Sequence, residues 1–368
     1  MKVIIIGAGP IGCYTGYLLA KSGHKVEIYE EHSNVGLPIQ CTGLLTKDFD
    51  QFNVSKEKFL INTLEEVEIN SPNQQAKIKI KEYLVCRQKF DRHIANLARK
   101  AGAKVFTNHS FIKRSNNNNN NNNNRIVIKN NKTKKEIEVS PDIVIAADGP
   151  LSKTAKAYGF YHTERKNYYG IQATVKGKFD EKSYKTFFGK EVCPDFFAWT
   201  VPESKNIARV GLASRKSPKL YFDNFIKKNN FKILEVQAGT IPIYNPKQKL
   251  QTENCYVIGD ASSFVKATTG GGIVPGMLQA KTLVDCINKK KNYKSETEIL
   301  RKRMRLHLLV RKIIDKFSDE DWDRLVKIIK NKEIQSILNK HTRENLLPIL
   351  IKCLIAEPKL VCFSKYLF

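Results

Sequence analysis

Acidic side chains are scarce in this chain of 368 residues: 36 Asp and Glu stand against 63 Lys and Arg, a formal net charge of +27. A field of that sign attracts polyanions or anionic membrane surfaces, although a lysine-rich proteome would produce the same surplus. The eight cysteines form no Cys-x-x-Cys pair, which removes zinc-knuckle and iron–sulfur frameworks, and no metal is expected. No uninterrupted apolar run approaches the ~20 residues of a membrane span. The apolar start, Val3 to Ile6, runs into glycines and not into a cleavable leader. The chain is therefore expected to be cytoplasmic with reduced thiols, with peripheral contact on the inner face of the cell membrane.

What is present is a βαβ beginning. Lys2–Ile6 is continuously apolar, as a strand covered on both faces should be. Ile11, Tyr14, Thr15, Leu18 and Leu19 follow at helical spacing, Gly23 ends that helix, and Lys25–Glu30 reads as a second strand. Leu64, Val67, Ile69, Ile78 and Ile80 alternate with polar residues as half-exposed antiparallel strands do. Phe90, Ile94, Leu97, Ala98 and Ala101 mark a helix face, and Ala103–Phe106 and Asp142–Ala147 are further buried strands. The asparagine run, Asn116 to Asn124, cannot build a core and reads as a disordered loop tip. Tyr168 to Ile243 is rich in β-formers and suggests a separate antiparallel sheet. Cys255–Ile258 is a last buried strand, and from Ile299 onward the chain is mostly helical and basic.

The chemistry begins at Gly7-Ala8-Gly9-Pro10-Ile11-Gly12, between the first strand and the first helix. Gly7 permits a tight turn, Gly9 lets a pyrophosphate approach the backbone, and Gly12 lets helix and strand pack closely. The helix N-terminus offers free N–H groups to the phosphates. Glu30 stands 18 residues beyond Gly12, where an acid accepts from ribose hydroxyls. FAD and NAD share that fingerprint. A second cluster favours FAD: the strand ending in Gly259-Asp260, then Gly270-Gly271-Gly272-Ile273 opening a helix. A glycine-lined helix start suits the negative edge of a reduced flavin, and Asp260 suits its ribityl hydroxyls. The expected fold class is α/β (α+β): a Rossmann-like FAD-binding domain, an inserted antiparallel-sheet substrate domain and a C-terminal helical region. Residues 1–60, 83–166 and 250–298 are assigned to the first, 61–82 and 167–249 to the second, and 299–368 to the third.

Over nearly its whole length the chain resembles FAD enzymes of the para-hydroxybenzoate hydroxylase fold, and within them the geranylgeranyl reductase family, of the archaeal digeranylgeranylglycerophospholipid reductase type. Gly7, Gly9 and Gly12 with Glu30 match the first FAD motif, Asp148-Gly149 the second, and Gly259-Asp260-Ala261 with the Thr-Thr-Gly-Gly-Gly-Ile run the third. Arg87 resembles the family arginine that touches FAD. Pro38-Ile39-Gln40-Cys41-Thr42-Gly43 resembles the segment that lays a cysteine beside the flavin. Pro194-Asp195-Phe196-Phe197-Ala198-Trp199-Thr200-Val201-Pro202 keeps the spacing of the family's substrate motif, with Phe197 in place of its tyrosine and Val201 in place of its second aromatic.

The resemblance implies saturation of prenyl-lipid double bonds with Cys41 as the catalytic candidate and Phe197, Trp199 and Pro202 toward substrate. It implies an external reductant, either a reduced ferredoxin-like carrier or NAD(P)H, and a basic surface would help dock an acidic electron-donor protein. Other readings stay open: a reductase of free geranylgeranyl diphosphate or chlorophyll esters, an FAD-dependent aromatic monooxygenase, a non-redox isoprenoid cyclase, and a flavin-containing RNA-binding protein. No aromatic RNA-binding signature is present, and no nucleic acid partner is expected. Leu306, Leu309, Val310, Ile313, Ile314 and Phe317 fall on one helical face amid Arg and Lys, which reads either as a membrane-surface helix or as a core helix with a basic rim.

Overall fold

The computed structural model describes residues 1–115, 124–161, 165–252 and 254–367. Asn116 to Asn123 of the asparagine run lie outside the described residues. The chain divides into two compact units: Met1–Ile39, Arg87–Lys166 and Pro242–Met304 in one, and Gln40–Cys86, Asn167–Ile241 and Arg305–Phe368 in the other.

The first unit is built on a five-stranded parallel sheet. Its order is Cys255–Val257, Ile143–Ala146, Lys2–Ile6, Lys25–Tyr29, Lys104–Phe106. The central strand is the continuous apolar run, and Val3, Ile4 and Ile5 are completely buried. The strand at Lys104–Phe106 is half-exposed and not buried as its sequence suggests, because it lies at the sheet edge. Helix Pro10–Lys21 follows the first strand and helix Ile273–Lys289 packs on it; a Cβ on Gly276 would stand 2.9 Å from Ile11. A three-stranded antiparallel sheet, His109–Ser115, Arg125–Asn130 and Glu136–Val139, completes this unit.

The second unit carries an eight-stranded sheet in the order Lys232–Pro242, Asn167–Lys176, Ile207–Ser214, Cys193–Pro202, Ser183–Gly189, Leu60–Asn70, Gln75–Val85, Leu44–Thr46. Ser183–Gly189 and Leu60–Asn70 run parallel, and the hairpin pairs on either side are antiparallel. One face buries Ala173, Val175, Ala198, Val210 and Leu212 against Phe222 and Phe225 of helix Pro218–Lys228. Helices Glu298–Ile314, Asp319–Ile329, Lys332–Lys340 and Leu346–Ala356 form the C-terminal region. Ser318 and Asp321 start the second of these with a capping box.

The first C-terminal helix departs from the apolar face read in its sequence. Leu309 is exposed, whereas His307 and Arg311 are buried. Arg311 tolerates burial because Nε donates to Asp315, one turn on, at 2.6 Å, and its guanidinium lies 5.3 Å from the centre of the Phe196 ring.

Candidate functional site

In the first unit the chain turns sharply after Ile6, and space decides which residues fit. Gly7 has φ +102°, and a Cβ there would stand 2.4 Å from the Ala147 carbonyl oxygen. A Cβ on Gly12 would stand 2.1 Å from the Gly7 carbonyl oxygen. Gly9 differs: nothing lies within 4 Å of its missing side chain. The turn is thus packed at Gly7 and Gly12 and open at Gly9. Helix Pro10–Lys21 begins at Gly9 with no side-chain cap and no acid in its first turn, so its first N–H groups are left for a ligand. Helix Ile273–Lys289 begins at Gly272 in the same way.

Glu30 closes the turn from outside. Its Oε2 accepts from Ala8 N–H at 2.9 Å, and its Oε1 accepts from His32 N–H at 3.0 Å. Asp148 faces inward: its carboxylate accepts from the Ser152 hydroxyl and from Thr154 N–H at 3.1 Å, which holds the start of the short helix Lys153–Ala157. Burial pushes the Asp148 carboxyl up. Gly149 beside it takes φ +77°. Arg87 opens helix Arg87–Lys100 and grips Asp91 with two hydrogen bonds, 3.0 and 2.9 Å.

Asp260 is the odd carboxylate. The residue is half-buried; its backbone carbonyl accepts from Ser263 N–H at 2.9 Å, while its carboxylate accepts no hydrogen bond among the described residues. Burial pushes its pKa up to about 6, against the pull of the Arg87 charge. A Cβ on Gly272 would meet Asp260 Oδ1 at 2.7 Å, so the carboxylate lies directly beside the helix start. A desolvated acceptor without a donor is completed by a ligand hydroxyl. The open side of Gly9, two uncapped glycine helix starts and this carboxylate fit a dinucleotide with a polyhydroxyl chain.

Lys266, which opens the Lys-Ala-Thr-Thr-Gly-Gly-Gly run, lies beside this helix start. Its side chain is buried, and its Nζ would be 3.3 Å from a Cβ on Gly271. Its N–H donates to the Gly271 carbonyl at 3.2 Å, and its carbonyl accepts from Gly270 N–H at 2.8 Å. The visible signal was a lone lysine inside an otherwise apolar and small-residue stretch, Ser263 to Ala267.

The Asp260 environment makes a pH prediction. The usual value of 3.8 is raised on folding, so the folded chain holds the proton more tightly. The penalty is absent below the unfolded value and complete above pH ~6–7, where it reaches at most about 3 kcal/mol at ~1.4 per unit. Asp260→Asn is expected to melt higher than wild type in the cofactor-free protein at pH 7 and to match it near pH 4. The same change should weaken FAD binding by up to about tenfold, because a carboxamide oxygen accepts from a ligand hydroxyl more weakly than a carboxylate does. A melting difference that does not change with pH would sink the assignment.

The second unit gathers the other candidates. Register places Gln172, Gly211 and Trp199 in one row across three adjacent strands. Gly211 has no side chain, and a Cβ there would meet the Trp199 indole at 2.8 Å. The indole therefore lies over Gly211 and its Nε1 donates to Gln172 Oε1 at 3.1 Å. The same Oε1 accepts from the Thr42 hydroxyl at 2.7 Å, and Gln172 Nε2 donates to Gln237 Oε1 at 3.1 Å. Arg209 donates to the Thr42 and Val85 carbonyls and pairs with Glu203 at 2.6 Å. Cys41, half-buried, is the preceding residue; its sulfur accepts from Gly43 N–H at 3.3 Å.

Phe197 lies edge-on to Trp199, ring centres 5.9 Å apart, and stacks on Phe196 at 4.4 Å. It also meets Phe188, whose ring stacks on Trp322 at 4.3 Å. Phe197 and Trp199 share one face of the strand; Pro202 falls by parity on the face of Ala198 and Thr200. Within this unit the structure thus brings Trp199, Phe197 and the Cys41 segment into one network and leaves Pro202 out of it.

These features fit a protein that binds a dinucleotide cofactor. The family model described as FAD binding domain matches residues 1–193, more than half of the chain, and the chain belongs to that family. Among curated relatives, digeranylgeranylglycerophospholipid reductase 1 of Methanosphaera stadtmanae is 27% identical over 91% of this chain and 90% of its own length. The digeranylgeranylglycerophospholipid reductase of Methanocaldococcus jannaschii is 28% identical over 89% of this chain and 90% of its own. Among solved structures, a geranylgeranyl bacteriochlorophyll reductase-like protein of Thermoplasma acidophilum shares the fold, with TM-score 0.85, 22% identity, and coverage of 100% of this chain and 99% of that one. No helix among the described residues is long and apolar enough to cross a membrane.

Proposed function

We propose that this chain is an FAD-dependent oxidoreductase that saturates isoprenoid double bonds, and that its substrate is the geranylgeranyl chains of glycerol ether phospholipids taken at a membrane surface. The observation that carries the reading is similarity along about nine-tenths of the chain to reductases of that name. FAD, when bound, supplies the hydride. An isolated alkene has no carbonyl to accept charge, so the chain must fix the prenyl segment, exclude water and deliver a proton.

The assigned parts divide that work. Gly7, Gly9, Gly12, Gly149, Gly259 and the Gly270–Ile273 start hold the phosphates and flavin edge. Glu30, Arg87, Asp148 and Asp260 shape the cofactor site, with Asp260 toward the ribityl chain. Phe197 and Trp199 line the apolar wall, with Pro202 ending their strand. The Cys41 thiol gives or relays the proton to the second alkene carbon, and Gln172 fixes the segment that carries it. Each double bond would gain one hydride and one proton; an external donor, either a reduced ferredoxin-like carrier or NAD(P)H, would return two electrons, and the two protons that reload the flavin and the Cys41 thiol would come from solvent or from the donor.

The test is anaerobic. Purified protein reduced with dithionite beside digeranylgeranylglycerol phospholipid should raise lipid mass in steps of two hydrogens. Cys41→Ala should keep its flavin spectrum and lose at least about tenfold in turnover. A flavin-loaded protein that leaves lipid mass unchanged, or that needs oxygen to turn over, overturns the substrate assignment. Full turnover by Cys41→Ala removes the thiol from the mechanism.

A further inference from the structure

The helix Leu346–Ala356, Leu-Leu-Pro-Ile-Leu-Ile-Lys-Cys-Leu-Ile-Ala, is apolar apart from Lys352, yet only one side is covered. Ile349 and Cys353 are buried against Ile334, with Ile337 and Leu338 beside them. On the opposite side Leu347, Ile351, Leu354 and Ile355 are 55, 50, 41 and 75% exposed. Their spacing of four, three and one residues places them in one stripe. The segment that follows, Pro358–Leu367, adds exposed Val361 and Leu367.

A helix that is apolar all round is ordinarily covered all round, and a contiguous exposed apolar surface marks a docking site. At 11 residues the helix is about 16 Å long, roughly half of what a membrane span needs. It can lie in a membrane interface and cannot cross it. The charges beside the stripe decide between occupants. Lys352, Lys359 and Lys365 are exposed along Leu346–Leu367, and Glu357 is the one acid there. Lys365 lies 3.8 Å from Asp321, and Lys352 Nζ is 3.0 Å from His341 Nε2. A second copy docked about a two-fold axis would set this basic rim against itself. An anionic lipid surface neutralises it.

We infer that the outer face of Leu346–Ala356, with its lysine rim, is the surface by which this chain docks on an anionic phospholipid bilayer. The inference rests on the lipid substrate proposed above, and it names where that lipid is met: Leu347, Ile351, Leu354 and Ile355 enter the acyl boundary, while Lys352 and Lys359 stay at the headgroups.

Co-sedimentation of the FAD-loaded full chain with vesicles tests it. Phosphatidylglycerol vesicles should bind the chain in ~0.1 M salt and release most of it at ~1 M, and phosphatidylcholine vesicles should bind it weakly. The double variant I351D/I355D should keep its flavin absorbance and melting temperature and bind phosphatidylglycerol at least about a hundredfold more weakly. Lys352→Ala with Lys359→Ala should cost about fivefold per lysine, on anionic vesicles only. Wild-type chain that sediments with neither vesicle, or I351D/I355D that binds like wild type, overturns the inference. So does a wild-type dimer in light scattering that I351D/I355D splits, since the covering surface is then a second copy. Turnover of a short water-soluble prenyl substrate without vesicles reads the proposed activity by itself. I351D/I355D that retains this turnover while losing vesicle binding supports the docking face. Loss of that turnover in wild type strikes the activity alone, because vesicle binding is scored without it.

Discussion

Gly12→Ala is expected to yield a protein that holds no FAD and melts well below wild type, whereas Gly9→Ala should lose FAD and keep its cofactor-free stability. The contrast follows from space. At Gly12 the new methyl would stand 2.1 Å from a backbone carbonyl, and neither the helix nor the turn has a flexible side chain there that can yield. Forced backbone movement of that kind costs about 2–4 kcal/mol. At Gly9 a methyl meets no protein atom within 4 Å. It projects into the space through which a pyrophosphate would reach the uncapped helix start. The melting temperature of cofactor-free Gly9→Ala should stay within a degree or two of wild type, while its flavin affinity falls tenfold or more. Flavin titration and calorimetry on both variants check this. Wild-type affinity in Gly9→Ala would move the phosphates away from this turn.

Gln172→Leu is expected to reduce turnover by about ten- to a hundredfold with flavin content unchanged. The substitution leaves the Trp199 N–H and the Thr42 hydroxyl without their shared acceptor. Each lost partner in a buried site costs about 1–3 kcal/mol, and the Thr42 segment carries Cys41. Gln172→Glu keeps an oxygen at the same place and should restore most of the rate. Gly211→Ala attacks the same row from the middle, because its methyl would stand 2.8 Å from the indole and 2.7 Å from the Ile171 carbonyl oxygen. Trp199 and Trp322 are the only tryptophans, so the emission spectrum reports the displaced indole directly. A positioning role predicts a fall in kcat larger than any rise in KM. Wild-type kcat/KM in Gln172→Leu ends the argument.

The nucleotide-binding half was legible because its signals are local. A buried strand, three glycines and a helix follow one another within Lys2 to Lys21, and each residue answers to its neighbours. The row Gln172–Gly211–Trp199 was not legible, because it exists only after three strands find their register. In the sequence Gln172 is a lone polar residue among β-formers, and Gly211 resembles any glycine in a strand. The C-terminal helix misled for a related reason. Hydropathy places Arg311 on a solvated rim, and only folding brings Asp315 and the Phe196 ring to it. Asp148 shows the limit from the other side: its place before Gly149 was evident, but its hydrogen bonds to Ser152 and Thr154 depend on how the short helix turns back.

The late strand at Cys255–Val257 has a consequence for biogenesis. Ile145 pairs with Tyr256, so the strand Ile143–Ala146 waits 111 residues for its outer neighbour. At ~5–20 residues per second a ribosome takes roughly 5–20 s to supply it. Through that interval the nascent chain carries an apolar strand edge with unmet hydrogen bonds, the kind of edge that recruits other chains. Gly259, Asp260 and the second glycine-opened helix emerge later still. A cofactor site that includes them would close late in synthesis, and a cell short of chaperones should lose this protein to aggregation before it lacks flavin to fill it.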